Sequence, residues 1–302
     1  MKLPISPHIE AKLTKSLSYI RLKTHYKPQI GIVLGSGLGE FAERLLKPNV
    51  IETRSIPNYP ASSVEGHSGK LYFGRSHTKT VLAFQGRVHF YETGKLESII
   101  YPILVASKLG IKILIVTNAA GGINRHFQPG DLMMIRDQIN LTFENPLHIF
   151  QPDCQKRFSA RLPQACGGQA GKPHSTFDYP HNKFNTPDLY DKKLQRIIET
   201  ISRKKHIPIR SGVYCGVKGP SYETAAEIEM IRHIGGDAVG MSTVNEVSVA
   251  HALGLKIAGI SCITNLSTGI SSTPLSHDEV TEVANQVKVK FIKLIENIIG
   301  SL

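Results

Sequence analysis

The sequence contains no tryptophan, and only 7% of its 302 residues are aromatic. Proteins that bind single-stranded nucleic acids commonly combine a basic groove with aromatic side chains that stack on the bases. Here 36 Lys and Arg against 24 Asp and Glu give a formal net charge of +12, but the basic residues are scattered and few aromatic residues accompany them. A nucleic-acid-binding protein is therefore the weaker interpretation of this charge, and a protein that binds small anions is the stronger one.

Cysteines and long apolar runs are scarce as well. The four cysteines, Cys154, Cys166, Cys215 and Cys262, form no CxxC pair, which predicts reduced thiols in the cytoplasm. The first residues contain no apolar segment of the kind found in signal peptides, and no run of about 18 apolar residues occurs anywhere. We therefore expect a soluble, cytoplasmic protein without a membrane partner.

The common phosphate-binding motifs are missing too. In the stretch GIVLGSGLGEF (31–41), Glu40 stands where the dinucleotide-binding motif G-x-G-x-x-G requires its last glycine. The stretches GHSGKL (66–71) and GVKGPS (216–221) both fail to match the nucleotide-binding motif G-x-x-x-x-G-K-[ST]. Dinucleotide binding and nucleoside triphosphate hydrolysis are therefore disfavoured.

What the sequence does contain is a regular alternation of strand-like and helix-like segments. Residues 9–22 and 96–109 have helical apolar periodicity, and capping boxes begin at Thr224, Thr243 and Ser276. The predicted strands are QIGIVLG (29–35), TVLAFQG (80–86), IKILIVTN (111–118), SGVYCGV (211–217), DAVGMS (237–242) and KIAGISCITN (256–265). This alternation predicts a single α/β domain over residues 1–302, with a mixed, largely parallel sheet flanked by helices on both faces.

One segment does not follow the alternation. Residues 148–190 are rich in Pro, Gly, His, Cys and Gln and have no apolar period, which predicts an irregular insertion. Its candidate metal ligands are Cys154, Cys166, His174 and His181. Their spacing matches no standard zinc site, so no metal is predicted.

Polar residues occur where the predicted strands end. Ser36, Arg87 and Ser242 come directly after or close to strand ends, as does the run NAAGG (118–122). Ligands of open α/β sheets bind at the carboxyl ends of the strands. The glycine-rich turn 35–39 can present backbone N–H groups, and a guanidinium forms paired hydrogen bonds to an oxyanion. These residues therefore predict a phosphate site.

A second set of residues indicates a polar organic ligand beside the phosphate. Glu223 precedes a helix whose capping-box acid is Glu227, so the Glu223 carboxylate remains available to accept N–H donors from a heterocycle. The Asn265 amide offers a donor and an acceptor, and the Tyr222 ring can stack on a heterocycle.

Eight stretches of this sequence resemble the trimeric purine nucleoside phosphorylases, and PLSHDEV (274–280) resembles their bacterial branch in particular. The stretches are GSGLG (35–39), EGHSG (65–69), GRVHFYE (86–92), TNAAGGIN (117–124), GDLMMIRDQINL (130–141), GPSYETAAE (219–227), GDAVGMSTVNEV (236–247) and ITN (263–265). They occur in the order found in that family. The resemblance implies a pentosyltransferase that phosphorolyses 6-oxopurine (deoxy)ribonucleosides, such as inosine and guanosine, to the free base and (deoxy)ribose 1-phosphate.

The resemblance also implies roles for individual residues. The implied phosphate-binding residues are Ser36, His67, Arg87, His89, Ala119 and Ser242. The implied ribose-binding residues are Tyr91, Met241 and His277. The implied purine-binding residues are Tyr222, Glu223 and Asn265. Asn265, His89 and Glu223 are the implied catalytic residues. The resemblance further implies that phosphate is a co-substrate, that no cofactor is needed and that the protein is a homotrimer.

Two alternative functions and three departures from the family pattern stand beside this interpretation. Methylthioadenosine phosphorylases resemble the chain overall but have aspartates in the base site, and no Asp occurs at position 223 or 265. A non-catalytic purine-binding relative is the other alternative. The first departure is Leu162, which stands where the family has a phenylalanine that reaches the neighbouring subunit. The second is the segment after Pro163, which is longer than in the family pattern. The third is Asn245, which stands where proline is common.

Overall fold

Each of the six strands predicted from the sequence is present in the structure. A computed structural model describes residues 5–62, 69–150, 188–270 and 277–302, except for the side chains of 277–281 and 284. The strands of this described part are β1 (Ile30–Leu34), β2 (Leu46–Glu52), β3 (Lys70–Ser76), β4 (Lys79–Gln85), β5 (Ile113–Gly122), β6 (Leu132–Asn140), β7 (Arg210–Gly216), β8 (Ala238–Gly240) and β9 (Lys256–Leu266). β1 is buried along its whole length, as its uninterrupted apolar sequence predicts.

All of these strands belong to one mixed sheet. The strand order is β2-β3-β4-β1-β5-β8-β7-β6-β9, and β9 additionally pairs with β5. The pairs β1–β4, β1–β5, β5–β9, β6–β7 and β7–β8 are parallel, whereas β2–β3, β3–β4, β5–β8 and β6–β9 are antiparallel. The pairings β5–β8–β7–β6–β9–β5 close into a ring, which brings the ends of β5, β8 and β9 together.

Helices cover both faces of the sheet. The α-helices of the described part are α1 (Pro7–Lys23), α2 (Glu40–Glu43), α3 (Phe90–Thr93), α4 (Leu96–Lys108), α5 (Lys192–Lys205), α6 (Ala225–His233), α7 (Val244–Ala252) and α8 (His277–Gly300), with short 3-10 helices at Thr53–Ser55 and Pro146–Phe150. In β1, Val33 packs in one core with α1, α4 and α7, whereas Ile32 and Leu34 pack in a second core with α2, α5 and α8. This alternation of side chains gives the protein a hydrophobic core on each face. The predicted α/β fold class is confirmed.

The predicted helices and their caps are present in the described residues. Ile9, Leu13, Leu17 and Ile20 form the buried face of α1, as the periodicity predicts. Thr224 caps α6 in a box with Glu227, and Thr243 caps α7 in a box with Glu246. The Ser276 side of the third predicted box lies outside the described residues. None of the helices that the structure describes is long and apolar enough to cross a membrane.

Some elements differ from the expectation. The run NAAGG, predicted to follow a strand, belongs to β5 itself, because β9 continues to pair with it as far as Gly122. β2, β3, β6 and α5 are elements that no prediction from the sequence covers. Phe150 and Tyr190 are buried in the core, so both ends of the predicted insertion 148–190 belong to the packed domain. Residues 151–187 lie outside the described part.

Candidate active site

A cleft of about 140 Å³ opens where the ends of β1, β4, β5, β8 and β9 meet. It is lined by residues that are far apart in the sequence, as expected for the carboxyl edge of a mixed sheet. The predicted site residues among them are Ser36, Arg87, His89, Tyr91, Ala119, Tyr222, Glu223, Met241, Ser242 and Asn265. The predicted spatial convergence is therefore confirmed for these side chains. His67 and the His277 side chain lie outside the described part of the chain, as do Leu162 and the metal candidates Cys154, Cys166, His174 and His181.

The glycine-rich turn after β1 forms one wall of the cleft. Gly35 touches β5 so closely that a Cβ atom on it would come within 2.7 Å of the Asn118 Cα atom, so a larger residue would separate β1 from β5. The Gly35 N–H donates to the Thr117 hydroxyl at 3.1 Å, and that hydroxyl donates to the Val33 carbonyl at 2.9 Å. Thr117 thus fixes the turn that carries Ser36 into the cleft.

Arg87 enters the cleft from the end of β4 and is held by a buried ion pair. Its Nη1 atom lies 2.9 Å from Glu246 Oε2, and the two side chains are only 4% and 3% exposed. The same Nη1 donates to the Thr243 hydroxyl at 3.2 Å, and Nη2 donates to the Thr117 carbonyl. Because Glu246 also accepts from the Thr243 N–H at 3.0 Å, the capping box of α7 and the arginine form one network. The guanidinium is therefore fixed in position by groups on β5 and α7.

His89 is fixed by a carboxylate of its own. Glu92 Oε1 accepts from the His89 N–H at 2.6 Å and lies 3.1 Å from His89 Nδ1, in a capping box at the start of α3. The His89 ring stacks on the Tyr91 ring with centroids 5.0 Å apart and an interplanar angle of 9°. Carboxylate and ring contacts together set the orientation of the imidazole toward the cleft.

Ser242 and Asn118 complete this end of the cleft, which we call the phosphate end (Ser36, Arg87, His89, Asn118, Ser242). Ser242 Oγ lies 3.1 Å from Thr243 Oγ1, and the Ser242 N–H donates to the Tyr214 hydroxyl at 3.4 Å. The Asn118 Nδ2 atom donates to Thr243 Oγ1 at 2.9 Å. Burial raises the pKa of Tyr214 to about 12, so its hydroxyl stays protonated at neutral pH.

The opposite end of the cleft, which we call the base end (Tyr222, Glu223, Val239, Asn265, Ser267), contains Asn265 near the end of β9. Thr264 donates its hydroxyl to Asn265 Oδ1 at 2.9 Å, and Asn265 Nδ2 donates to the Leu266 carbonyl at 3.2 Å. The pairing of β5 with β9 shifts here, because Ala120 lies opposite Ile263 but Gly121 lies opposite Asn265. This β-bulge allows both Thr264 and Asn265 to line the cleft, although successive strand residues normally face opposite sides.

Glu223 is the one acidic side chain among the described cleft-lining residues. Burial raises its pKa above the ordinary value, and the nearby Glu227 carboxylate adds to this effect, whereas its own backbone N–H lowers the pKa. Tyr222 is 46% exposed at the rim of the cleft. Cys215 lies buried beneath Glu223, and burial raises its thiol pKa to about 12, so it is not a reactive thiolate.

Tyr91 and Met241 lie between the two ends. Both approach Gly219, where a Cβ atom would come within 2.3 Å of Met241 Sδ and 3.1 Å of Tyr91 Cδ1. Gly219 has φ of +68°, in the left-handed region, so glycine is favoured for conformational as well as steric reasons. This packing places an aromatic ring and a thioether beside the middle of the cleft.

Sequence reasoning missed several residues that shape the site. Glu246 and Thr243 were recognised only as a capping box, although they also hold Arg87. The missed residues that line the cleft or its supports are Glu92, Thr117, Thr264 and Ser267. Only Glu92 carried a local signal, since it stands three residues after His89 at a helix start.

Comparisons with known proteins agree with this geometry. A model of the phosphorylase superfamily matches residues 29–300. Purine nucleoside phosphorylase 1 of Bacillus subtilis (strain 168) is 43% identical over 96% of this chain and 98% of its own, and that of Geobacillus stearothermophilus is 40% identical over 96% and 97%. A crystal structure of Schistosoma mansoni purine nucleoside phosphorylase in complex with inosine superposes with a TM-score of 0.80 at 32% identity, covering 97% of this chain and 96% of that one. Because the family model and these relatives cover nearly the whole chain, the chain belongs to the purine nucleoside phosphorylases of the phosphorylase superfamily.

Proposed function

We propose that the cleft phosphorolyses 6-oxopurine (deoxy)ribonucleosides. One phosphate oxygen forms a bond to C1′ of the sugar while the C1′–N9 bond breaks, and the electron pair of that bond passes into the purine. The products are the free base and (deoxy)ribose 1-phosphate. The observation that carries the proposal is a single cleft with an anion-binding composition at one end and a hydrogen-bonding pair, Glu223 and Asn265, at the other.

The phosphate end supports the positioning of the nucleophile. Phosphate is already nucleophilic, so its main requirement is placement beneath C1′, which is a proximity effect. Ser36, Arg87, His89, Ser242 and the Ala119 backbone are the groups we assign to it, with His67 as a further one. The networks around Arg87 and His89 support this assignment, because they hold both side chains in place before a ligand arrives.

The base end supports stabilisation of the departing purine. Negative charge builds on the purine in the transition state, and Asn265 can donate a hydrogen bond to N7 as this happens. Thr264 orients the amide by donating to Oδ1, and since Nδ2 gives one of its two protons to the Leu266 carbonyl, the other is left for N7. An ionised Glu223 can accept the N1–H of a 6-oxopurine, which favours hypoxanthine and guanine nucleosides over 6-amino ones. No aspartate lines the described part of the cleft, so nothing favours the methylthioadenosine alternative.

The middle of the cleft is assigned to the sugar. Tyr91 and Met241 contact the ribose in this proposal, and His277 binds near its 5′-hydroxyl. The backbone of His277 begins α8, and its side chain lies outside the described part of the chain.

Three further features belong to the proposal. We infer that the enzyme needs no cofactor, assembles as a homotrimer and acts in the cytoplasm. Activity that survives exhaustive dialysis against a chelator, a trimer mass in sedimentation equilibrium, and cytosolic fractionation are the expected results.

The deciding experiment is a nucleoside panel assayed with and without inorganic phosphate. We expect hypoxanthine release from inosine only when phosphate is present, together with ribose 1-phosphate in equal amount. Equal release without phosphate would identify a hydrolase, and purine binding without any product would identify a non-catalytic relative.

A further inference from the structure

One buried hydroxyl at the base end has no partner in the described part of the chain. Ser267 directly follows β9 and is 1% exposed, and its Oγ atom has no hydrogen-bond partner among the described residues. Its backbone is fully engaged, because its N–H donates to the Gly122 carbonyl at 2.9 Å and its carbonyl accepts from the Ile270 N–H at 3.0 Å. Because buried hydroxyls are almost always hydrogen-bonded, we expect a ligand to supply the partner of this one.

The Ser267 hydroxyl lies beside the amide of Asn265. A Cβ atom built on Gly121 would be 2.8 Å from Ser267 Oγ and 3.3 Å from Asn265 Nδ2, so both polar atoms flank the same bare stretch of backbone. Both residues line the cleft. A ligand that reaches the Asn265 amide therefore comes within reach of the Ser267 hydroxyl.

The other buried polar atoms without partners in the described residues lie elsewhere. They are Asn49 Oδ1, Asn118 Oδ1, Asn245 Oδ1 and Ser261 Oγ. Asn118 also lines the cleft, but its amide contacts Thr243 at the phosphate end. Ser261 lies on β9 six residues before Ser267 and does not line the cleft. Among the residues that the structure describes, Ser267 is thus the unpartnered buried group that faces the base end.

We propose that Ser267 is a third base-binding residue, which hydrogen-bonds the 6-substituent of the purine on the edge that Asn265 contacts. This inference rests on the proposed function, since it takes the ligand at that end to be a purine. A hydroxyl donates to a 6-oxo group and accepts from a 6-amino group. Ser267 therefore strengthens binding of 6-substituted purines of both kinds, whereas Glu223 distinguishes between them.

The test is equilibrium binding of two free bases to Ser267→Ala and to Ser261→Ala. The bases are hypoxanthine, which has a 6-oxo group, and unsubstituted purine, which has a hydrogen at that position. We expect Ser267→Ala to weaken hypoxanthine binding by about fivefold, the usual effect of one neutral hydrogen bond, and to leave purine binding unchanged. Ser261→Ala removes an equally buried and unpartnered hydroxyl from the same region of the chain, so it should leave both affinities unchanged.

Several results would overturn the proposal. These are unchanged hypoxanthine affinity in Ser267→Ala, equal losses for both bases, or the same loss in Ser261→Ala. Thermal unfolding separates a ligand contact from a structural role, because removing a hydroxyl without a partner should not lower Tm in either variant. The measurement needs no turnover, so wild-type protein that binds hypoxanthine but releases no base from inosine would refute the proposed function and not this contact.

Discussion

The two ends of the cleft are built in opposite ways. At the phosphate end, Arg87 and His89 each have a carboxylate partner, and Arg87 and Glu246 are almost completely buried. At the base end, Tyr222 is 46% exposed and Glu223 has no ion-pair partner in the described part of the chain, while Ser267 keeps an unpartnered hydroxyl. The charged side chains of the phosphate end are thus paired within the protein, although Asn118 Oδ1 has no partner among the described residues, whereas Glu223 and Ser267 at the base end are left for the ligand.

This difference has a physical reason. Charged groups that are removed from water must be paired, so an anion site built from a buried arginine requires a network around it. A heterocycle is recognised instead by hydrogen bonds that the free protein leaves unmade, because a wrong ligand then leaves buried polar groups unpaired. The difference predicts that substitutions at the phosphate end affect stability, whereas those at the base end affect mainly the binding and turnover of the ligand.

The largest effect on activity is expected at Asn265. Asn265→Ala removes the donor to the departing purine, so kcat for inosine should fall by about 10²-fold or more. Phosphate binding, measured by calorimetry, should remain as in the wild type. Asn297→Ala, at a half-buried position of α8 that does not line the cleft, is the matched control and should be unaffected. Unchanged turnover in Asn265→Ala would show that the base end is assigned wrongly.

The largest effect on stability is expected at Glu246. Glu246→Ala leaves the Arg87 charge buried without its partner and removes the capping-box acid of α7, which should lower the free energy of unfolding by about 3 kcal/mol or more. Urea unfolding measures this change. Glu52→Ala breaks an ion pair of similar length between exposed side chains, Glu52 and Arg54, and should have little effect. Similar losses in the two variants would contradict the contrast between the ends.

The pH dependence is expected to report on Glu223. The ionised carboxylate of Glu223 accepts the N1–H of a 6-oxopurine more strongly than the protonated carboxyl does. Because burial raises the pKa of Glu223, kcat/KM for inosine should begin to fall at a higher pH than an ordinary glutamate would allow. Glu223→Gln should abolish this acid limb and reduce activity on inosine more than on adenosine. Glu199→Gln, on the exposed side of α5, should leave the profile unchanged. An acid limb that persists in Glu223→Gln belongs to another group.

The smallest effect is expected at Tyr222. Tyr222→Ala removes a ring that we expect to stack on the base, so KM for inosine should rise by about fivefold with kcat nearly unchanged. Tyr222→Phe keeps the ring and should lose less. If the two substitutions have equal effects, the hydroxyl and not the ring is the important group.

Much of the fold could be predicted because it depends on local signals. The uninterrupted apolar run indicates β1, and the helical period of apolar residues indicates α1. The capping boxes that begin at Thr224 and Thr243 each span four residues and indicate where a helix starts. The extension of β5 through NAAGG could not be predicted in this way. Alanine and glycine have low strand propensity, and these residues are in a strand because β9 pairs with them.

The site was predictable where a residue carries its own chemistry. Some polar residues could be recognised because they follow apolar runs, as Ser36, Arg87 and Asn265 do. Glu223 could be recognised because it is not the acid of the capping box that follows it. All four line one cleft. Arg87 and Glu246 pair although they are 159 positions apart in the sequence, and no local sequence pattern indicates this contact. Ser267 was missed because a lone serine is unremarkable until its burial and lack of a partner are known.

The β-bulge between β5 and β9 sets which residues can take part in recognition. Successive residues of a regular strand face opposite sides, so the extra residue is what lets two consecutive polar side chains serve the same end of the cleft. Deleting Thr264 would leave Asn265 opposite Gly121 and its amide on the cleft side, but the hydroxyl that holds Asn265 Oδ1 would be lost. The irregularity of β9 thus divides the work between neighbours, with orientation at 264 and contact with the ligand at 265.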